Sequence, residues 1–283
     1  MKNEKHFVQI AKDIWSRQDS PVDRFSLIKK IKYKDLLDIF QRGDFASFEM
    51  IVRQLAEGSF LVIQECLSND EIEFLKNIGN QLMNSRKSEF FKMDRKIPNF
   101  WRDITSEHSH KYGVPVVKKS MYFFHWNGEE ELFNLINQRW DIIKILGGRE
   151  SSFGKSTLPE DGFIDRIQLV EYPAGSGYLA AHQDPDHNQK CFISGYMSKI
   201  GVDFKSGGFW ALNIKNEKIN LENEIEIGDM GIGSAKIVHG VDKIDNAKTS
   251  KRWFLGLYTN DSDCVKNRIT LKAPKINLKS EEN

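Results

Sequence analysis

The second half of the chain constrains the fold most. From Asp165 to Thr259 it is almost all short apolar runs broken by turn residues. Ile167-Gln168-Leu169-Val170-Glu171-Tyr172 is followed by the turn Pro173-Ala174-Gly175-Ser176-Gly177 and a second run from Tyr178 to Asp184. Further runs span Cys191 to Met197, Gly208 to Ile214, Ile219 to Ile227, Gly233 to His239 and Trp253 to Thr259, with Gly, Asn, Asp or Lys clusters between them. Runs of this length and make-up, bounded by such residues, are strands joined by turns. Each strand buries a face only against others, so the segment predicts a jelly roll, or double-stranded β-helix, with its β-core at about residues 163–262.

The first half reads differently. Residues 1–57 look helical, with Phe7, Ile10, Ala11 and Ile14 on one stripe and Leu36, Leu37 and Phe40 on another. Within them, Lys29-Lys30-Ile31-Lys32-Tyr33-Lys34 is expected as the solvated side of a helix whose apolar face is Leu27, Ile28 and Ile31. At Gly58 the texture changes. Ser59-Phe60-Leu61-Val62-Ile63 predicts a buried strand, and Ser68-Asn69-Asp70-Glu71 a helix cap with an acidic first turn. Phe90 to Asn127 has no clear period, Glu129 to Leu146 predicts an amphipathic helix closed by Gly147-Gly148, and residues 149–162 a loop. The expectation is a predominantly β, α+β chain: a helical extension at 1–57 and a β-rich domain at 58–283, its tail from Lys275 to Asn283 frayed.

Composition excludes several classes. With 283 residues one large core is favoured over two small ones. Forty-one Lys and Arg against 40 Asp and Glu leave a net charge of +1, so no global field points to nucleic acid or an anionic membrane. Cys66, Cys191 and Cys264 make an odd count without a CxxC pair, against a disulfide framework or a structural zinc site. No apolar run approaches membrane-spanning length, and charges interrupt the N-terminal segment. A soluble, cytoplasmic protein is expected.

His182 and Asp184 close the second strand two residues apart. On a strand they point the same way; on a helix they would diverge by roughly 200°. With the distant His239 they make two imidazoles and a carboxylate, a set that suits Fe(II) and leaves one coordination face open. His-x-Asp alone is weak evidence, and each histidine taken singly reads as a core residue. His187, in the loop that follows, reads as an exposed turn residue.

The surroundings of these residues resemble the iron(II)/2-oxoglutarate-dependent oxygenase superfamily, in its prolyl-hydroxylase-like branch, over residues 58 to about 260. Gly58 to Ile63 with Leu67 to Glu71 resembles its opening strand and helix, and Leu169 to Asp184 its strand, glycine turn and His-x-Asp motif. Gly207-Gly208-Phe209-Trp210 resembles the paired-glycine strand after the metal motif. Gly228-Asp229-Met230 resembles the turn ahead of the second histidine, and Lys251 to Tyr258 the strand with the cosubstrate's basic anchor.

The resemblance implies tasks. His182, Asp184 and His239 would bind Fe(II), and Arg252 would pair with the distal carboxylate of 2-oxoglutarate, although it lies somewhat farther from His239 than in close relatives. Tyr172, Tyr196 or Gln168 would add hydrogen bonds to the cosubstrate. With O2 these would hydroxylate an unactivated C–H, releasing succinate and CO2. Related halogenases lack the carboxylate, so Asp184 favours hydroxylation; desaturation or cyclisation stays open. Arg102, His110 and Tyr122, between the first helix and the metal strand, are candidate substrate contacts, with ordinary packing as the alternative. The expected substrate is a small metabolite such as an amino acid, whose carboxylate Arg102 would hold. A protein or peptide side chain, or a non-catalytic metal- or ligand-binding sensor, are the alternatives; nucleic acid is not expected as a partner.

Overall fold

A computed structural model describes residues 3–18, 22–155 and 158–266; the tail from Lys275 to Asn283 lies outside the described residues. The order of elements is α1 (Glu4–Ser16), β1 (Ile28–Lys32), α2 (Tyr33–Arg42), α3 (Phe45–Ala56), β2 (Phe60–Gln64), α4 (Asn69–Ser85), β3 (Phe100–Ile104), α5 (Ser106–Ser109), β4 (Val116–Phe123) and α6 (Glu130–Leu146). Then come β5 (Phe163–Pro173), β6 (Tyr178–His182), β7 (Cys191–Tyr196), β8 (Gly208–Leu212), β9 (Lys218–Asn220), β10 (Met230–Ser234), β11 (His239–Asp242) and β12 (Lys251–Asp261).

The strands run in the order β1-β2-β10-β7-β12-β5-β4-β6-β11-β8-β9, with β3 also paired to β4. β4 is the joint of a jelly roll. Its residues 119–123 pair with β5, while Val116 and Val117 pair with β6, so one strand serves the larger sheet and the smaller one, β6-β11-β8-β9.

Period-two alternation builds two cores from the same strands. Leu61, Ile63, Ile167, Leu169, Ile193, Leu255 and Leu257 face outward onto α1, α3, α4 and α6, meeting Phe7, Phe48, Leu75 and Trp140 in one cluster. Phe60, Val62, Val170, Tyr172, Phe192, Tyr196 and Phe254 face inward, where Phe209, Ala211 and Val241 of the smaller sheet close a second cluster. Being apolar on both faces, the larger sheet needs the helices on one side and the smaller sheet on the other. α4 starts at a capping box: Ser68 Oγ accepts from the Glu71 N–H and Glu71 Oε2 accepts from the Ser68 N–H. Gly228, at φ +91°, turns the chain into β10 so tightly that a Cβ there would stand 2.3 Å from the Leu67 carbonyl oxygen.

Four segments depart from the sequence expectation, and the run from Ile219 to Ile227 is one: only β9, Lys218–Asn220, is strand there, and a short 3-10 turn follows at Glu222–Glu224. Tyr33 and Lys34 of the lysine cluster open α2, but Lys29 to Lys32 lie in the edge strand β1, not helix, which pairs parallel with β2 from Ile28↔Phe60 to Lys32↔Gln64. Its lysines are exposed, Lys30 and Lys32 pairing with Glu224 and Glu65, and such charges guard a sheet edge against further pairing. The irregular stretch from Phe90 to Asn127 contains β3 and β4; Lys118 and Lys119 break β4's apolar alternation, which hid it. Gly233 to His239 is not one strand, since β10 ends at Ser234 and a turn precedes β11. No helix among the described residues is long and apolar enough to cross a membrane.

Candidate metal centre

His182 ends β6 and His239 opens β11, and the two stand opposite each other in the antiparallel register. A register irregularity follows directly, between His239 and Val241. Beyond the end of β6, the Asp184 N–H donates to the Ala235 carbonyl at 2.8 Å, which pins the carboxylate-bearing residue. The donor atoms of His182, Asp184 and His239 all lie within 4.8 Å of one another. His182 Nε2 is 3.6 Å from Asp184 Oδ1, and His239 Nε2 is 3.8 Å from Asp184 Oδ2.

The imidazoles are oriented from behind. His182 Nδ1 lies 3.0 Å from the Ala180 carbonyl oxygen and His239 Nδ1 lies 2.8 Å from that of Ile237. A carbonyl only accepts, so each Nδ1 carries the proton and each Nε2 turns a lone pair toward Asp184. Burial, and then the His239 ring beside it, hold the His182 imidazole well below its usual value, so it stays neutral. Withdrawal from water raises the Asp184 carboxyl, a cost that a cation among these atoms would offset. Two imidazoles and one carboxylate fit a divalent transition metal with open positions.

Arg252 lies within the interior, fully buried on β12 opposite Tyr172 of β5. Its Nε donates to Glu222 Oε1 at 2.6 Å, and the same oxygen accepts from the Phe209 N–H at 2.7 Å. Among the described residues Nη1 and Nη2 are buried with no hydrogen-bond partner. The guanidinium carbon is 5.4 Å from the Tyr172 ring and 5.8 Å from that of Tyr196. Buried donors are rarely left unmade, and two parallel N–H groups match a carboxylate. The Phe209 ring, 5.8 Å from His239 and 6.2 Å from Tyr196, links this end of the interior to the histidines.

A cavity of about 590 Å³ opens onto His182 and Asp184. Arg102, Tyr122 and Gln168 line it; Arg252, Tyr172 and Tyr196 lie outside its lining, in the packed interior. Gln168 is engaged, donating to Ser120 Oγ at 3.1 Å and accepting from Arg166 Nη2 at 3.2 Å. His110 sits exposed at the end of α5 and does not line the cavity. His187 is not an exposed turn residue: it lines the cavity, its Nε2 2.7 Å from Asp261 Oδ2. Sequence reasoning also passed over Lys118, Arg166 and Glu222. Lys118 and Arg166 carry a readable signal, since each alternates with an inward residue of its strand, Tyr122 and Gln168. Glu222, in a short turn 30 residues from its partner, carries none.

No protein-family model matches the chain, and no curated protein matches it. Solved structures do. A full-length Neurospora crassa protein in complex with alpha-KG, 13% identical, aligns with a TM-score of 0.54 over 87% of this chain and 87% of its own. The same protein with alpha-KG and 5-formyluracil gives 0.53 at 12% identity, over 87% and 86%. A Pseudomonas putida prolyl-4-hydroxylase, 11% identical, gives 0.49 over 74% of this chain and 96% of that one. At such identities the likeness is one of fold: the chain has the jelly-roll architecture of the Neurospora crassa protein crystallised with alpha-KG.

Proposed function

We propose that the protein is an Fe(II)- and 2-oxoglutarate-dependent oxygenase that hydroxylates an unactivated C–H of a small molecule. The observation that carries this reading is the convergence of His182, Asp184 and His239, the first two of which line a cavity large enough for a small-molecule ligand. The fold shared with a protein crystallised with alpha-KG supports it, as do the two partnerless nitrogens of Arg252.

Bound Fe(II), with 2-oxoglutarate and O2, supplies the oxidation that puts one oxygen atom into a C–H bond as 2-oxoglutarate becomes succinate and CO2. The chain's own part is binding, orientation and exclusion of water. His182 and His239 present neutral Nε2 atoms, each fixed by its Nδ1–H bond to a backbone carbonyl. Asp184 supplies the one negative charge of the set. Arg252, steadied through Nε by Glu222, offers Nη1 and Nη2 to the far carboxylate of the cosubstrate, with Tyr172 and Tyr196 beside it. The aromatic walls of the cavity hold the substrate's C–H over the open face of the metal set.

Succinate formed from 2-oxoglutarate only when Fe(II) is present, and absent in Asp184→Ala, is the expected result. Folded, iron-loaded protein that consumes no 2-oxoglutarate across a metabolite extract would sink the enzyme reading and leave a ligand-binding sensor.

A further inference from the structure

Charges of both signs line the cavity beside the candidate metal centre, with Arg102, Lys118 and Arg166 among Asp184, Asp261 and Asp263. An uncharged donor, Tyr258 of β12, belongs to the same lining. Among the described residues none forms a hydrogen bond with its hydroxyl, and that oxygen is open to the cavity.

The register places this side chain. Arg252, Phe254, Gly256 and Tyr258 alternate along the inward face of β12, where Arg252 stands opposite Tyr172, Gly256 opposite Gln168 and Tyr258 opposite Arg166. On its other side β12 sets Gly256 against Ser194 of β7. The next inward residue of β7 is Phe192, whose ring lies 4.5 Å from that of His239. Tyr258, one inward step beyond Gly256, therefore starts level with the metal set.

Its ring lies back along the strand. A Cβ on Gly256 would stand 2.5 Å from Tyr258 Cε2 and 2.9 Å from its hydroxyl oxygen, so the ring covers Gly256 and only a glycine leaves it that room. The hydroxyl thus points toward Arg252, four residues or about 13 Å from Gly256 along the strand. The Arg166 guanidinium carbon, 5.3 Å from the ring centroid, steadies the ring. Burial first, and then Asp184 and Tyr172, raise the phenol above its ordinary value. Asp184 is one end of the interval between metal set and anchor, and Tyr172 is the other. A phenol so placed keeps its proton and donates it in a hydrogen bond.

That interval has a donor at one end only. Tyr172 and Tyr196 flank Arg252, and Gln168 is engaged with Ser120 and Arg166. We propose that Tyr258 is a cosubstrate-binding residue: its hydroxyl donates to the carboxylate beside the keto group of 2-oxoglutarate, while Arg252 holds the far one and Gly256 keeps the ring low enough for both. The inference rests on the oxygenase reading and extends it to the metal end of the cosubstrate.

The test is calorimetric titration of 2-oxoglutarate into Mn(II)-loaded wild type, Tyr258→Phe, Gly256→Ala and the double variant, with Mn(II) alone titrated into each. Tyr258→Phe keeps the ring and loses only the donor, so without ligand it melts as wild type does and binds Mn(II) equally. Its Kd for 2-oxoglutarate rises on the order of tenfold or more, the worth of a hydrogen bond to a charged acceptor. Gly256→Ala displaces the ring and loses the same contact with the hydroxyl still present. Adding Tyr258→Phe to it then costs nothing further, because both changes remove one interaction. The proposal is overturned if Tyr258→Phe binds 2-oxoglutarate as tightly as wild type, or if its Mn(II) affinity falls by the same factor. It is overturned too if Tyr258→Phe costs as much in the Gly256→Ala background as in wild type. Wild type that takes up Mn(II) and no 2-oxoglutarate refutes the oxygenase reading and this inference with it; wild type and Tyr258→Phe binding it equally refutes the inference alone.

Discussion

Arg252 and Glu222 form a buried pair to which the proposed function adds a second duty, and the two roles separate by mutation. Both side chains are almost wholly shielded, at 1% and 2% exposure, and joined at 2.6 Å. Arg252→Met leaves the Glu222 carboxylate buried without a counter-charge, which costs about 3–5 kcal/mol. At about 2–4 °C per kcal/mol for a chain of this order, the melting temperature falls by roughly 6–20 °C. Adding Glu222→Gln removes the stranded charge and keeps an oxygen to accept from the Phe209 N–H. The double variant therefore returns to within about 1–2 kcal/mol of wild type, as replaced buried pairs commonly do. Cosubstrate binding does not return with it, because the partnerless Nη1 and Nη2 are gone. The assay is thermal melting by circular dichroism with Mn(II), with and without 2-oxoglutarate. At a hundredfold excess over Kd wild type gains about 2.7 kcal/mol from the ligand, and the double variant gains none. A loss below about 1 kcal/mol in Arg252→Met would refute the buried-charge reasoning. A double variant that kept the 2-oxoglutarate shift would refute the anchor.

Asp184→Asn removes a shielded carboxylate, so the metal-free variant melts no lower than wild type while the rise on adding Mn(II), about 2.7 kcal/mol at a hundredfold excess, disappears; a rise equal to wild type would show that the metal binds elsewhere. His125 stacks on Phe133 at 3.9 Å, and burial, with Lys144 and Lys155, pushes its imidazole down to about 4. It stays neutral in the fold while the unfolded chain takes a proton near pH 6.5, so its contribution is fully present above that pH and is lost as pH falls toward 4. His125→Phe should flatten that acid limb by about 2 kcal/mol, read from urea unfolding at pH 7 and pH 4.5; an unchanged slope would place the acid sensitivity in other groups. Ser68→Ala removes one half of the α4 capping box and should cost about 1 kcal/mol, seen as a lower urea midpoint at constant m-value.

Much of the fold was written locally. Ser68 and Glu71 announce the start of α4, Gly147 and Gly148 the end of α6, and the alternation of Ile167, Leu169 with Val170, Tyr172 announces strands apolar on both faces. The two-residue step from His182 to Asp184 brought both side chains to one place, although the strand ends at His182 and Asp184 follows it, and a jelly roll is the economical way to bury so many short strands. Such signals are read within one turn of helix or a few residues of strand, and they survive in one dimension.

What only the tertiary structure decided depends on contacts far apart in the chain. β1 is a strand because the exposed edge of β2 accepts it, although its lysines read as a helix surface. β4 joins the two sheets because both halves of it find partners. Glu222 meets Arg252 across 30 residues and His187 meets Asp261 across 74. Arg102, Lys118 and Arg166 become one charged wall only when β3, β4 and β5 lie side by side. The sequence by itself determined most strands of the second half, the capped helices and the types of donor available to a metal. Burial and register determined which charges meet, since a counter-charge is found or missed only once the chain has closed around it.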